Sequence, residues 1–196
     1  KFTEQYQLKY VLCRNEEKAE RIARKEGIKT TLSEAECEVA RPDFVVAAVS
    51  KDSMFQVTKK WALKGFAVLC ETPAGMNADE LTGLWELKER HGAKIQVAEQ
   101  YTRYPVIAAG LKAIGEGKLG EPYGVRISAA HDYHGASLIR HMLGIKPGDG
   151  PVRMRGKRYE FPVTETDSRY GAVTDGSIKQ WNRECIAIEF MSDRSA

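Results

Sequence analysis

The sequence predicts a doubly wound α/β protein: a mainly parallel sheet in its first half, followed by an α/β domain with a mainly antiparallel sheet. Three observations carry this. Across residues 1–100, short apolar runs alternate with amphipathic stretches. The runs at 44–49, 66–70 and 94–98 are too short for isolated helices, as expected of strands covered on both faces. After residue 100 the strand-like runs lose their regular intervening helices.

The elements follow in order. Residues 8–13 form the first apolar run. Asn15 is placed to cap a helix with Ala19, Ile22 and Ala23 on one face, and Gly27 to stop it. Ser33-Glu34-Ala35-Glu36 has the capping-box pattern for a short helix. Between the later runs lie a helix over 53–64, with Met54, Val57 and Trp61 inward, and one over 78–91. The latter takes Asn77 as its cap, Leu81, Leu84 and Leu87 on one side, and Gly92 after its end. Pro105 suits the first turn of a helix carrying Ile107, Leu111 and Ile114. Strands are expected over 125–129, 152–161 and 185–190, a helix over 137–143, and a loop over 162–183. The domain boundary is read at 103/104.

Composition narrows the partners. The 30 basic and 27 acidic residues leave a formal charge of +3 and are interspersed, so nucleic acid is not an expected partner. No apolar run approaches the ~20 residues a membrane helix needs, and no signal-peptide pattern opens the chain, which points to a cytoplasmic protein without a membrane partner. Cys13, Cys37, Cys70 and Cys185 lack close spacing and read as buried free thiols, with no metal site. The chain opens on Lys1 without Met and closes just after a strand-like run, and is read as a piece of a longer chain.

In an open parallel sheet, ligands bind beyond the carboxyl ends of the strands. Four loops qualify: Cys13-Arg14-Asn15, Ser50-Lys51-Asp52, Glu71-Thr72-Pro73 and Glu99-Gln100-Tyr101. The plain alternative is that they are polar turns.

Three strings carry a family resemblance. Gly65-Phe66-Ala67-Val68-Leu69-Cys70-Glu71-Thr72-Pro73, coming after the apolar run at 44–49, is similar to a strand and Glu-Lys-Pro series. Gly117-Lys118-Leu119-Gly120-Glu121-Pro122-Tyr123-Gly124-Val125 is similar to a G-x-L-G-E-x-x-x-V segment. His134-Gly135-Ala136-Ser137-Leu138-Ile139-Arg140-His141-Met142-Leu143-Gly144 is similar to an H-x-x-D-L-x-R-x-x-L-G helix. In order and spacing these resemble the glucose-fructose oxidoreductase and inositol dehydrogenase (Gfo/Idh/MocA) family. The resemblance implies that residues 1–103 are part of a Rossmann domain binding NAD or NADP. Residues 104–196 would then be part of a substrate and dimerisation domain, with homo-oligomers formed through its sheet. It also implies hydride transfer at a secondary alcohol of a polyol or sugar-like small molecule, and a cis peptide bond before Pro73.

Such a reaction needs a base for the hydroxyl proton as hydride leaves the same carbon. The family supplies a lysine and a histidine. Thr72 stands at the lysine position, Lys51 and Met54 where the strand motif often has Asn and His, and Ser137 where the helix usually has Asp. His134 is therefore the catalytic candidate, with Tyr101, Arg103, His131 and Tyr133 as substrate contacts. Read from the residues alone, these histidines equally suit polar helix-flanking positions.

Cofactor contacts are expected from Cys13, Arg14, Ser50, Lys51, Glu71, Thr72, Pro73 and Gln100. Arg14 follows the first strand with no acidic neighbour to hold ribose hydroxyls, which tips the expectation toward NADP. If residues 8–13 are the second strand of such a fold, its first strand and glycine loop lie upstream of Lys1, leaving the domain incomplete here. Two other readings stay open: a non-catalytic dinucleotide sensor, and a catalyst of elimination or hydrolysis using nicotinamide transiently.

Overall fold

The computed structural model describes residues 5–122, 124–127, 132–146, 153–164 and 180–191. The chain divides into two compact units between Glu99 and Gln100.

In the first unit, β1 (Val11–Leu12) leads into α1 (Glu16–Glu26) and β2 (Thr30–Thr31), which pairs with β1 in parallel. Asn15 accepts the Lys18 N–H at 2.9 Å, and Gly27 closes α1 in the left-handed conformation at φ 65°. Both caps stand where the sequence places them. Residues 30–31 are a strand that local patterning does not announce. Two threonines in a polar stretch become a strand because the β1 backbone pairs with them.

The next helix, α2 (Glu34–Val39), starts with a relayed cap. Ser33 accepts the Glu36 N–H at 3.3 Å, but the Glu36 carboxylate does not return to the Ser33 N–H. That N–H donates to the Thr31 hydroxyl at 3.0 Å, and the hydroxyl donates to Glu36 at 2.6 Å. Buried Thr31 thus completes the reciprocal pattern that Ser33 and Glu36 make directly in a simple capping box.

β3 (Phe44–Ala47), β4 (Ala67–Cys70) and β5 (Ile95–Val97) form a parallel three-stranded sheet in that order, with Ala47 opposite Cys70 and Cys70 opposite Val97. The crossovers are α3 (Lys51–Leu63) and α4 (Ala78–His91). Period-2 alternation turns Val45, Ala47, Val68, Cys70, Ile95 and Val97 toward one core. Met54, Trp61 and Ala62 of α3 and Leu84 and Leu87 of α4 fill the same core. Burying a large side chain of this kind contributes roughly 1.5–3 kcal/mol.

Two expectations need correction. β3 is not covered on both faces: Phe44 is 40% and Val46 55% exposed, because α3 and α4 both serve the core on the opposite side. Leu81 is exposed while Leu84 and Leu87 are buried, so the inward stripe of α4 is narrower than the leucine spacing implies.

In the second unit, a 3-10 turn at Tyr101–Arg103 precedes α5 (Pro105–Gly115), with Pro105 in its first turn as expected. Helix α6 spans Asp132–Met142, starting earlier than the helix read over 137–143. β6 (Arg153–Thr164) pairs antiparallel with β7 (Gln180–Met191), from Arg153 opposite Met191 to Thr164 opposite Gln180. Both strands extend into the stretch read as a loop over 162–183. Tyr159, Phe161 and Val163 alternate with polar or proline positions, and that period of two outweighs local polarity once a partner strand is present. Residues 165–179 lie outside the described residues. The strand expected over 125–129 is absent at 125–127, and 128 and 129 lie outside the described residues.

Candidate functional site

The exits of β3, β4 and β5 share one sheet edge because the three strands run parallel. The Glu71 N–H donates to the Ala47 carbonyl at 3.0 Å, and the Ala98 N–H to the Cys70 carbonyl at 2.8 Å, so hydrogen bonding continues past the strand ends. Ser50 sits at the start of α3 without capping it through its side chain; its hydroxyl instead meets Ser53 Oγ at 3.1 Å. Ser50, Lys51 and Glu71 are exposed, and Thr72 and Pro73 are half-buried. Glu71 Oε2 accepts the Thr72 N–H at 3.3 Å, and the Thr72–Pro73 bond is cis, as the resemblance implies. Beneath this edge Cys70 is fully buried, and burial pushes its thiol up, opposed in part by the neighbouring Thr58 hydroxyl. An inert structural thiol fits that position better than a reactive one.

Cys13 and Arg14 follow β1. Cys13 is buried and donates its N–H to the Thr31 carbonyl at 2.8 Å, Arg14 is exposed, and Asn15 is committed to capping α1. Among the described residues β1 and β2 form a sheet separate from β3–β5, so hydrogen bonding does not join Cys13 and Arg14 to the other three loops.

These residues fit part of a dinucleotide site. A parallel-sheet edge beside the start of a 13-residue helix, with exposed hydroxyl, ammonium and carboxylate groups, suits ribose and nicotinamide contacts. A pyrophosphate cradle needs glycine amides free to donate at a helix N-terminus. The string Gly115-Glu116-Gly117-Lys118-Leu119-Gly120 has the G-x-G-x-x-G spacing but ends a helix instead of opening one. Its amides at 116, 117, 118 and 120 donate to the carbonyls of Lys112, Ile114, Ala113 and Gly117, so they are committed to the turn.

In the second unit, His134 lies in the first turns of α6 and is 4% exposed. Its ring centroid is 4.5 Å from that of Tyr101, tilted 40°, and 4.5 Å from that of Tyr133, tilted 52°. Tyr104 backs Tyr101 at 5.2 Å. The structure therefore brings three of the sequence-derived candidates together: Tyr101, Tyr133 and His134. Arg103 and Gln100 are exposed on or beside the 3-10 turn, and His131 lies outside the described residues. Tyr104 is a member the sequence reading missed. Its signal is the i, i+3 spacing from Tyr101, which stacks side chains where the turn is of the 3-10 kind. His141 is a helix anchor, its Nδ1 2.8 Å from the Ser137 carbonyl. Among the described residues no group of three His, Cys, Asp or Glu side chains could hold a metal, and no helix is long and apolar enough to cross a membrane.

A parallel sheet with crossover helices and a polar carboxyl edge defines the wound α/β class of proteins, in which ligands bind at that edge. Residues 1–99 match the Gfo/Idh/MocA family, described as an oxidoreductase family with an NAD-binding Rossmann fold, and the chain belongs to that family. Solved structures share its fold. A candidate myo-inositol dehydrogenase from Sinorhizobium meliloti 1021 is 21% identical with a TM-score of 0.64, over 96% of this chain and 62% of that protein. GenD2 from gentamicin A biosynthesis, in complex with NAD, is 16% identical with a TM-score of 0.60, over 95% and 63%. The scyllo-inositol dehydrogenase from Lactobacillus casei is 12% identical with a TM-score of 0.61, over 94% and 60%. The chain thus spans less than two thirds of the length of these proteins, 60–63%. No curated protein matches it.

Proposed function

We propose that this protein is an NAD(P)-dependent oxidoreductase acting on a secondary alcohol of a sugar or cyclitol, or on the matching ketone, with His134 as the proton-transfer residue. The carrying observation is the buried His134 imidazole set against Tyr101 and Tyr133 in a member of an NAD-binding oxidoreductase family. The dehydrogenase names of two structural neighbours support the substrate class.

A bound nicotinamide supplies the hydride acceptor or donor. Ser50, Lys51, Glu71, Thr72 and Pro73 line the sheet edge that would hold its ribose and ring, and Cys13, Arg14 and Gln100 complete the proposed contacts. His134 takes the hydroxyl proton in the oxidising direction and returns it in the reducing one, since an imidazole nitrogen can accept a proton and give it back. Thr72 cannot share this work, since a threonine hydroxyl does not ionise usefully near neutral pH. Arg103 and His131 are proposed substrate contacts. Arg14 favours NADP through its guanidinium, which can pair with a 2′-phosphate. The proposed setting is the cytoplasm, with homo-oligomers formed through a C-terminal, mainly antiparallel sheet that includes β6 and β7, in a substrate domain proposed to begin at residue 104.

The test is nicotinamide absorbance over a polyol and sugar panel. His134→Ala should lower turnover by about 10²–10⁴-fold with an unchanged circular dichroism spectrum. Undiminished turnover in that variant would remove His134 from the reaction. Arg14→Ala should raise the KM for NADP while leaving that for NAD.

A second reading, a dinucleotide-sensing protein without turnover, is favoured by Thr72 at the family's lysine position. Calorimetric cofactor binding with no turnover across the panel would select it.

A further inference from the structure

We propose that Tyr101 is a positioning residue for the His134 imidazole, not a substrate contact. The inference rests on the oxidoreductase reading for its catalytic consequence, but the contact stands independently of it.

A histidine ring turns broadly about its χ2 bond, so burial alone does not give it one orientation. Tyr133 is the neighbour of His134 on α6, and its ring moves with the same backbone. Tyr101 belongs to a different element, the 3-10 turn, and lays its ring 4.5 Å from His134 at a 40° tilt. That turn is internally tied: the Arg103 N–H donates to the Gln100 carbonyl at 2.9 Å, and the Tyr104 N–H to the Tyr101 carbonyl at 3.2 Å. The Tyr104 ring then supports Tyr101 at 5.2 Å and a 53° tilt. The succession Tyr104, Tyr101, His134 transmits the turn's fixed geometry to the imidazole. A tilted ring contact acts through the faces and edges of the two rings, so a phenyl ring at position 101 should orient the imidazole as the phenol does.

The test uses the full chain and four variants: Tyr101→Phe, Tyr101→Leu, Tyr101→Ala, and His134→Ala to assign the His134 ring signals by NMR. Tyr101→Phe should keep the ring-current-shifted His134 ring signals. Tyr101→Leu and Tyr101→Ala should both lose the part of that shift due to the Tyr101 ring, the part due to Tyr133 remaining; the leucine variant keeps most of the side-chain volume in case alanine unfolds the turn. In turnover, Tyr101→Leu should lower kcat by about tenfold to a hundredfold through ring misplacement, with little change in KM, and Tyr101→Phe should restore it. Unmoved His134 signals in the leucine variant would overturn the proposal. So would failure of phenylalanine to rescue kcat, which would make the hydroxyl and not the ring the essential group, or an effect confined to KM, which would make the side chain a substrate contact. If the wild type has no turnover, the oxidoreductase reading fails, and cross-peaks between the His134 and Tyr133 rings still decide the proposal: they should change in Tyr101→Leu if Tyr101 holds the imidazole, and unchanged cross-peaks would overturn it.

Discussion

Lys60 of α3 pairs with Glu34, the first residue of α2, and Lys64 one turn later pairs with Glu38 and lies 3.4 Å from Glu34. These contacts tie the helix leaving β2 to the crossover between β3 and β4. The hydrogen bond from Lys60 holds the Glu34 carboxyl below its usual range, against the opposing effect of burial. A carboxyl depressed in the folded state stabilises fully above the ordinary carboxylate pKa, and that stabilisation is lost as pH falls through the folded value. Glu34→Gln should therefore cost more stability at pH 7 than at pH 4. With the Lys60 and Glu34 side chains 40% and 41% exposed, the cost should stay below about 1 kcal/mol and shrink in 1 M salt, as read from urea midpoints.

The core of the first unit contains one polar misfit. Thr58 is fully buried, and its hydroxyl meets no oxygen or nitrogen partner among the described residues; it faces only the Cys70 sulfur, a poor acceptor whose contact falls short of a well-formed hydrogen bond. Thr58→Val keeps the shape and removes an unsatisfied group, so it should leave stability unchanged or raise it by about 1 kcal/mol. Met54→Ala, a few residues away on α3, should cost about 2–5 kcal/mol by opening a cavity. A large loss in Thr58→Val would show that the hydroxyl has a partner.

Gly92 ends α4 at φ 62°, where an added Cβ meets no atom within 4 Å, so any penalty comes from the backbone alone. Gly92→Ala should destabilise by about 1 kcal/mol. Gly110, inside α5 and also without near neighbours, makes the opposite case. Gly110→Ala should stabilise its helix by roughly 0.5–1 kcal/mol through the unfolded state. Thermal melts of the two variants should move in opposite directions.

Val46 and Val68 lie on the two faces of one sheet. In the 196-residue chain, Val68→Ala should cost about 2 kcal/mol and Val46→Ala less than about 0.5 kcal/mol, in proportion to the apolar surface each buries. Equal costs in chemical denaturation would show that the Phe44 and Val46 face is covered in solution.

Much of the first unit is legible before folding is considered. Asn15 and Asn77 cap through their own side chains, and Gly27 and Gly92 take the left-handed backbone next to their own helices, so a few neighbouring residues settle each end. The residues after β3 and β4 could be named as one edge because the apolar runs and crossover helices imply parallel strands. Residues 30–31 could not be read as a strand, because their β character lies in pairing with Val11 and Leu12. The relay from Ser33 through Thr31 to Glu36 was hidden for the same reason: a capping box is written in four residues, but the hydroxyl that completes it comes from the preceding strand.

Motif order and helix signals in the sequence alone determined the family, the parallel α/β architecture and His134 as the residue to test. Tertiary structure alone decided that Tyr101 and Tyr104 stand behind that histidine, that Phe44 and Val46 face outward while Val45 and Ala47 face the core, and that Leu81 drops out of the α4 stripe. Periodicity states that an element has an apolar face. Which neighbour covers that face, and which ring meets which, depends on contacts between residues far apart in the chain.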